Sequence, residues 1–168
     1  MRRLISEVLS VVVPALILAY LLQAFVVQTW IIDGPSMETT LWNGERVFIN
    51  RFIYRFSAPK RGDIVVFHLP QRGDRDFVKR VIGLPGETIE IRLGRVYINQ
   101  QPIDEPYIKR NALGDFPKTV IPPGQVFVMG DNRGNSHDSR AFGSVPVTLI
   151  RGKVFLVYWP LGHVRLIR

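Results

Sequence analysis

The chain has 168 residues, enough for one compact folded unit and little more. It has no cysteine, which excludes a disulfide framework, a thiolate nucleophile and a cysteine-based metal site. Lys and Arg outnumber Asp and Glu by 22 to 14, a balance of +8 that suits nucleic acid, anionic lipid or a soluble surface. No helix-turn-helix pattern and no aromatic RNA-binding signature accompanies that charge, so nucleic acid is not the expected partner.

In chain order, the first element is an uncharged run from Val8 to Ile32. As a helix rising about 1.5 Å per residue it would extend roughly 37 Å, against a hydrocarbon core of about 30 Å. Arg2 and Arg3 before it and Trp30 near its end stand where a cytoplasmic basic flank and an aromatic interface anchor belong. A cleaved leader would carry a shorter apolar region and small residues two apart, but Ala15, Ala19 and Ala24 do not fall at that spacing. Pro14 and Gln23 are tolerable in a spanning helix. The reading is a membrane anchor within residues 1–32, N-terminus inside, and an extracytoplasmic domain over residues 33–168.

Beyond Asp33, short apolar runs alternate with Gly and Pro punctuation, a rhythm of strands. The predicted strands are Glu45–Asn50, Asp63–His68, Phe77–Ile82, Thr88–Ile91, Arg95–Ile98, Gln125–Met129 and Lys153–Tyr158. Leu93-Gly94-Arg95 reads as a hairpin turn, and Arg72–Asp76 and Lys109–Lys118 as exposed loops. The expected fold is mainly β, a folded antiparallel sheet or barrel-like domain behind one N-terminal transmembrane helix.

Chemistry concentrates in four segments: Asp33–Met37, Lys60–Asp63, Phe77–Arg80 and Gly130–Arg140. Ser36 follows Gly-Pro, but Glu38 stands where G-x-S-x-G needs its last glycine, and no strand–turn–helix context follows. A Ser-His-Asp arrangement would draw on His137, inside the polar loop, rather than His68 or His163. Lysine is the other candidate base, provided burial lowers its pKa by several units. Strand alternation puts Lys79 on one face between Phe77 and Val81, where such lowering is plausible.

Ser36-Met37, Arg61-Gly62-Asp63, Lys79-Arg80-Val81-Ile82-Gly83-Leu84-Pro85-Gly86 and Gly130-Asp131-Asn132-Arg133 with Ser136 and Asp138-Ser139-Arg140 together resemble the type I signal peptidases, in that family's order and over nearly the whole chain. The resemblance implies a serine endopeptidase without cofactor or metal. Ser36 would attack the scissile carbonyl after neutral Lys79 takes its proton. By the same resemblance Ser136 hydrogen-bonds and orients Lys79, Asp138 and Arg140 form an ion pair that fixes the loop, and Gly130 and Asp131 shape its approach. The substrates implied are signal peptides of exported preproteins, cut after small, A-x-A-like residues. The membrane that the resemblance implies is a bacterial plasma membrane or a thylakoid, and the sequence does not choose between them.

Two positions depart from the family pattern. Gly34 stands where some members carry a serine whose hydroxyl helps hold the oxyanion, so a backbone N–H there, with that of Ser36, would have to serve. Thr39 replaces the usual proline of Ser-Met-x-Pro-Thr-Leu. Ile31, Ile32 and Val78 are the expected lining of shallow pockets beside the serine, with an extended substrate paired to a strand edge. Two other classes share part of this pattern. A non-enzymatic anchored β-domain leaves the Gly130–Arg140 loop unexplained, and a self-cleaving Ser-Lys repressor needs a DNA-binding region where the apolar run stands.

Overall fold

The computed structural model describes residues 7–8, 10–17, 27–73, 75–109 and 114–167. The strands, numbered in chain order, are β1 (Val27–Ile31), β2 (Arg46–Asn50), β3 (Ile64–His68), β4 (Asp76–Gly83), β5 (Thr88–Arg92), β6 (Arg95–Ile98), β7 (Gln101–Pro102), β8 (Phe116–Val120), β9 (Gln125–Met129), β10 (Val145–Pro146), β11 (Ile150–Trp159) and β12 (Arg165–Leu166). They form two antiparallel sheets. The larger runs β1-β2-β11-β3-β4-β9-β10, with β12 added beside β11, and the smaller runs β7-β6-β5-β8. The path of the large sheet ends at β1 and β10 and does not close, so the architecture is a folded sheet rather than a barrel. The chain is mainly β, as its punctuation predicts.

Both faces of the central strands are buried, which is why β3 reads as an unbroken Ile-Val-Val-Phe rather than an alternation. Ile64 and Val66 pack on one side with Met37, Leu41, Val47, Ile49, Val154 and Val157. Val65 and Phe67 pack on the other with Val81, Val126, Val128 and Val145. The small sheet covers a third cluster through Ile89, Ile91, Val96 and Ile98 against Ile82, Phe127 and Met129. Each side chain so buried contributes about 1.5–3 kcal/mol.

The structure corrects the N-terminal reading. Residues 10–17 are helical, but Val27–Ile31 is strand β1, paired with β2 from Val27↔Asn50 to Ile31↔Arg46. The uncharged run therefore does not continue as helix to Ile32, and the folded domain begins before Asp33. Trp30 is half-buried against the core around Met37 and Val47 instead of marking a helix end at a bilayer interface. No helix among the described residues is long and apolar enough to cross a membrane. The Arg2/Arg3 flank and residues 18–26 of the expected anchor lie outside the described residues.

Two expected loops also change. Phe116–Val120, partly assigned to a loop, is β8 at the edge of the small sheet, where Pro117 and Lys118 are exposed and a proline costs no ladder bond. Asp76 opens β4 and is nearly buried, bonded to His68 at 3.0 Å and Arg151 at 3.1 Å.

Candidate active site

Ser36 stands in a tight turn between β1 and β2. The turn begins where Gly34, at φ +94°, adopts a conformation open to glycine. Thr40 and Leu41 then donate to Met37 O at 3.0 and 2.9 Å, closing the turn. Met37 and Leu41, four apart, plug the core beneath it at 1% and 0% exposure. The serine is thus held above its buried neighbour. From the other side Asn132 N donates to Ser36 O at 3.1 Å and Asn132 Nδ2 to Pro35 O at 3.2 Å, so the Gly130–Arg140 loop clasps the backbone of the turn.

Lys79 lies in β4 opposite Val65 of β3. Its neighbours on the same face, Phe77 and Val81, pack into the core, and the Phe77 ring centroid is 5.8 Å from Nζ. Lys79 Nζ is 2.7 Å from Ser36 Oγ and donates to Val78 O at 3.0 Å. The residue is 4% exposed. Burial drives its pKa from an ordinary 10.5 down to about 8, against the opposing attraction of Asp138 and Asp131 for the ammonium. Serine oxygen and a readily deprotonated amine are therefore in hydrogen-bond contact, the geometry of a nucleophile and its base.

Two carboxylates brace the surroundings. Asp138 accepts from Arg140 Nε and Nη2, both at 2.8 Å, and from Gly130 N at 3.1 Å. Burial alone would raise its pKa, but Arg140 and the Gly130 N–H overcome this and hold it below the usual carboxylate range. Asp131 accepts from Arg80 Nε at 2.9 Å and Nη2 at 2.6 Å, and from Thr40 Oγ1 at 2.5 Å. A Cβ on Gly130 would overlap both the Ser36 carbonyl and the Ser136 side chain, so glycine permits the loop's approach.

Other expected placements differ. Ser136 Oγ does not bond Lys79, whose Nζ contacts Ser36 Oγ and Val78 O. Ser136 Oγ is buried without a well-formed hydrogen bond, although it is near enough to help keep Asp138 ionised. Gly34 N–H donates to Asn43 Oδ1 at 2.8 Å and so is not free for an oxyanion. The Ser36 N–H has no protein acceptor among the described residues. Ile32 is 3% exposed and packs into the core, whereas Ile31 is 58% exposed and Val78 is half-buried. His137 packs edge-on to Phe142 and bonds neither Ser36 nor an acid. Thr39 has φ +101° and donates from Oγ1 to Tyr107 O at 2.6 Å. A proline, fixed near φ −65°, could not adopt that conformation, which is the structural meaning of the departure at this position.

Sequence reading gave no role to Arg80, Asn132, Thr40 or the Glu105–Arg133 pair. Arg80, Asn132 and Arg133 stand inside the quoted motifs, and their polarity next to apolar strand ends was the available signal. Glu105, which accepts from Arg133 Nη1 at 2.9 Å and Nη2 at 2.5 Å, carries no such signal. Among the described residues no group of three or more His, Cys, Asp or Glu side chains is placed to hold a metal.

The family described as "Signal peptidase, peptidase S26" matches residues 5–159. The chain belongs to the signal peptidase family. It is 38% identical over 172 residues to "Signal peptidase I P" of Bacillus subtilis subsp. natto, covering 96% of this chain and 92% of the relative. It is 42% identical over 153 residues to "Signal peptidase I" of Bacillus caldolyticus, covering 83% of each. The crystal structure of a signal peptidase I from Enterococcus faecalis V583 superposes with a TM-score of 0.52 at 36% identity, over 58% of this chain and 97% of that one. As a signal peptidase, the chain is an enzyme of the serine peptidase class that cleaves signal peptides, and the Ser36–Lys79 contact lies within the matched region.

Proposed function

We propose that this chain is a membrane-anchored serine endopeptidase that removes signal peptides from exported preproteins after small residues, with Ser36 as nucleophile and Lys79 as general base. The observation that carries the reading is the 2.7 Å contact between Ser36 Oγ and the buried Lys79 amine. The neutral amine takes the hydroxyl proton as Oγ attacks the scissile carbonyl. The Ser36 N–H, which has no acceptor among the described residues, is the donor assigned to the developing oxyanion, and a single such donor is worth a factor of about 10²–10³. Collapse breaks the C–N bond, and the Lys79 ammonium returns the proton to the departing amine of the mature protein. Lys79, neutral again, then takes a proton from the water that attacks the acyl-serine; the ester C–O bond breaks, Lys79 passes the proton to Ser36 Oγ, and the signal peptide leaves with its new carboxylate. Asp138 with Arg140, and Asp131 with Arg80, hold the loop against the Ser36 turn, and Ser136 lines its buried side.

The anchor is assigned to the uncharged residues 8–26, which as a helix would extend about 28 Å, close to a bilayer core. Arg2 and Arg3 would stay in the cytoplasm, with the domain on the far side of a bacterial plasma or thylakoid membrane. β1 inserts up to about 17 Å of extended chain between that anchor and the serine turn, so Ser36 stays near the bilayer only if the β1–β2–β11 ribbon lies along it. Exposed Ile31, Trp159 and Leu161, at the Ser36 end of that ribbon, favour this orientation. The free edge of β1 and the half-buried Val78 suit an extended substrate with small side chains.

The test is preprotein cleavage in detergent by purified Ser36→Ala and Lys79→Ala chains. Both should lose processing to background, and near-normal cleavage by either sinks the dyad.

A further inference from the structure

The opposite end of the β1–β2 ribbon has features that peptide cleavage does not use. β2 ends at Asn50, opposite Val27, so the chain leaving β2 emerges where the uncharged run joins β1. Asn50 Oδ1 accepts from Phe52 N at 2.9 Å and Ile53 N at 3.0 Å, fixing the direction of that exit into a short 3₁₀ turn, Ile53–Arg55. Arg51, Phe52, Tyr54 and Arg55 of this segment, with Thr148 and Arg151 across from them, line a cavity of about 550 Å³.

Charge at the cavity is unbalanced. Arg151 is matched by Asp76 at 3.1 Å, and nearby Asp63 is engaged by Lys153 at 2.6 Å and by Tyr54 at 2.9 Å. Arg51 and Arg55 are exposed and have no carboxylate partner among the described residues. The Arg55 guanidinium instead lies 5.2 Å from the Phe52 ring centroid, and Phe52 meets the edge of Phe56, which is 79% exposed. Two unspent guanidiniums, a threonine hydroxyl and an exposed aromatic form a set that suits a phosphodiester attached to an apolar body.

We propose that this cavity binds the headgroup of an anionic phospholipid, with Arg51 and Arg55 on the phosphate and Phe56 in the acyl-glycerol region. The site rests on the anchor reading above, because residues 8–26 would bring a bilayer to this end of the domain. It would be a second hold on the membrane, pinning the entry end of the ribbon while the Ile31–Trp159 end faces the same surface. Each arginine near an anionic membrane gains about 1 kcal/mol, about fivefold in docking, so the pair supplies about 25-fold.

Because the chain has no cysteine, a single Ala58→Cys label beside the turn reports docking without interference. The full-length chain is reconstituted in phosphatidylcholine vesicles with and without phosphatidylglycerol, and quenching of a fluorophore on that cysteine by shallow nitroxide lipid is measured. Phosphatidylglycerol should increase docking, and Arg51→Gln/Arg55→Gln should lower the docked-to-undocked ratio about 25-fold. Detergent-phase peptide cleavage by that variant should be unchanged. A label insensitive to phosphatidylglycerol overturns the site. So does an equal fall in Arg92→Gln/Arg95→Gln, which removes the same charge from the β5–β6 hairpin. Inorganic phosphate that reproduces the effect on phosphatidylcholine vesicles overturns the lipid assignment in favour of a free-anion site. Flotation with phosphatidylcholine vesicles tests the anchor separately: a chain that floats with an indifferent label loses the headgroup site and keeps the anchor. One that fails to float but docks on phosphatidylglycerol keeps the site and loses the anchor.

Discussion

Lys79 Nζ lies 2.7 Å from Ser36 Oγ, and the lysine that makes this contact is 4% exposed with a pKa lowered to about 8. Only the neutral amine can accept the serine proton. Acylation should therefore fall about tenfold per pH unit below about 8 and level off above it, following one ionisation. Single-turnover cleavage of a preprotein across that range measures the limb directly. A rate that does not change from pH 6 to pH 9 removes Lys79 from the role of base.

The same burial has a cost in stability. In the unfolded chain Lys79 binds its proton up to about 10.5, whereas in the fold it releases it near 8. Between those values the unfolded state holds more protons, so stability rises with pH through this window and the penalty is fully present below about 8. A shift of this size corresponds to about 3 kcal/mol as an order of magnitude. Lys79→Met, of similar length and without charge, should be inactive and yet melt at a higher temperature than the parent at pH 7. The difference should vanish above about pH 10. Thermal unfolding of both chains at the two pH values is the measurement.

Much of the candidate site is legible in the sequence, and the reasons are local. Ser36, Lys79 and the Gly130–Arg140 loop stand in compact motifs, and the seven predicted strands are apolar runs cut off by Gly or Pro. β1 was hidden because Val-Gln-Thr-Trp-Ile has no charge and continues the apolar run before it, so hydropathy cannot mark where helix gives way to strand. β8 was hidden by Pro117 and Lys118, residues suited to an exposed edge and equally to a loop. β7, β10 and β12 are two residues each and exist only through pairing with distant strands. Gly34 donating to Asn43 Oδ1, and Glu105 gripping Arg133, depend on folded backbone paths that sequence spacing does not encode.

Asp138 influences Lys79 as well as Arg140. Its carboxylate favours the lysine ammonium, so Asp138→Asn should lower the Lys79 pKa further and move the acid limb of the pH–rate profile to lower pH. The substitution also leaves Arg140 without its carboxylate, at a cost of about 3–5 kcal/mol in stability. Adding Arg140→Gln should recover part of that loss without restoring the original pH profile, because the second change returns no negative charge near Lys79. The displaced limb, measured on the folded fraction, separates an electrostatic effect on the base from simple unfolding.

Gly130 lies where the polar loop packs directly against the serine turn. A methyl group there would lie 2.6 Å from Ser136 Cβ and would overlap the Ser36 carbonyl. Ser36 O also accepts from Asn132 N, two residues beyond Gly130, so the turn and loop cannot separate without breaking that bond. Gly130→Ala should cost about 1–3 kcal/mol from overpacking. It should also displace Ser36 relative to Lys79 and lower kcat by about 10²-fold, since an ångström of misplacement can cost that much. Ser136→Gly in the same chain should recover stability more than activity, because it clears the side chain and leaves the clash with the Ser36 carbonyl. Circular dichroism melts alongside kcat distinguish the two effects, and full activity in Gly130→Ala would mean that the loop does not position the serine.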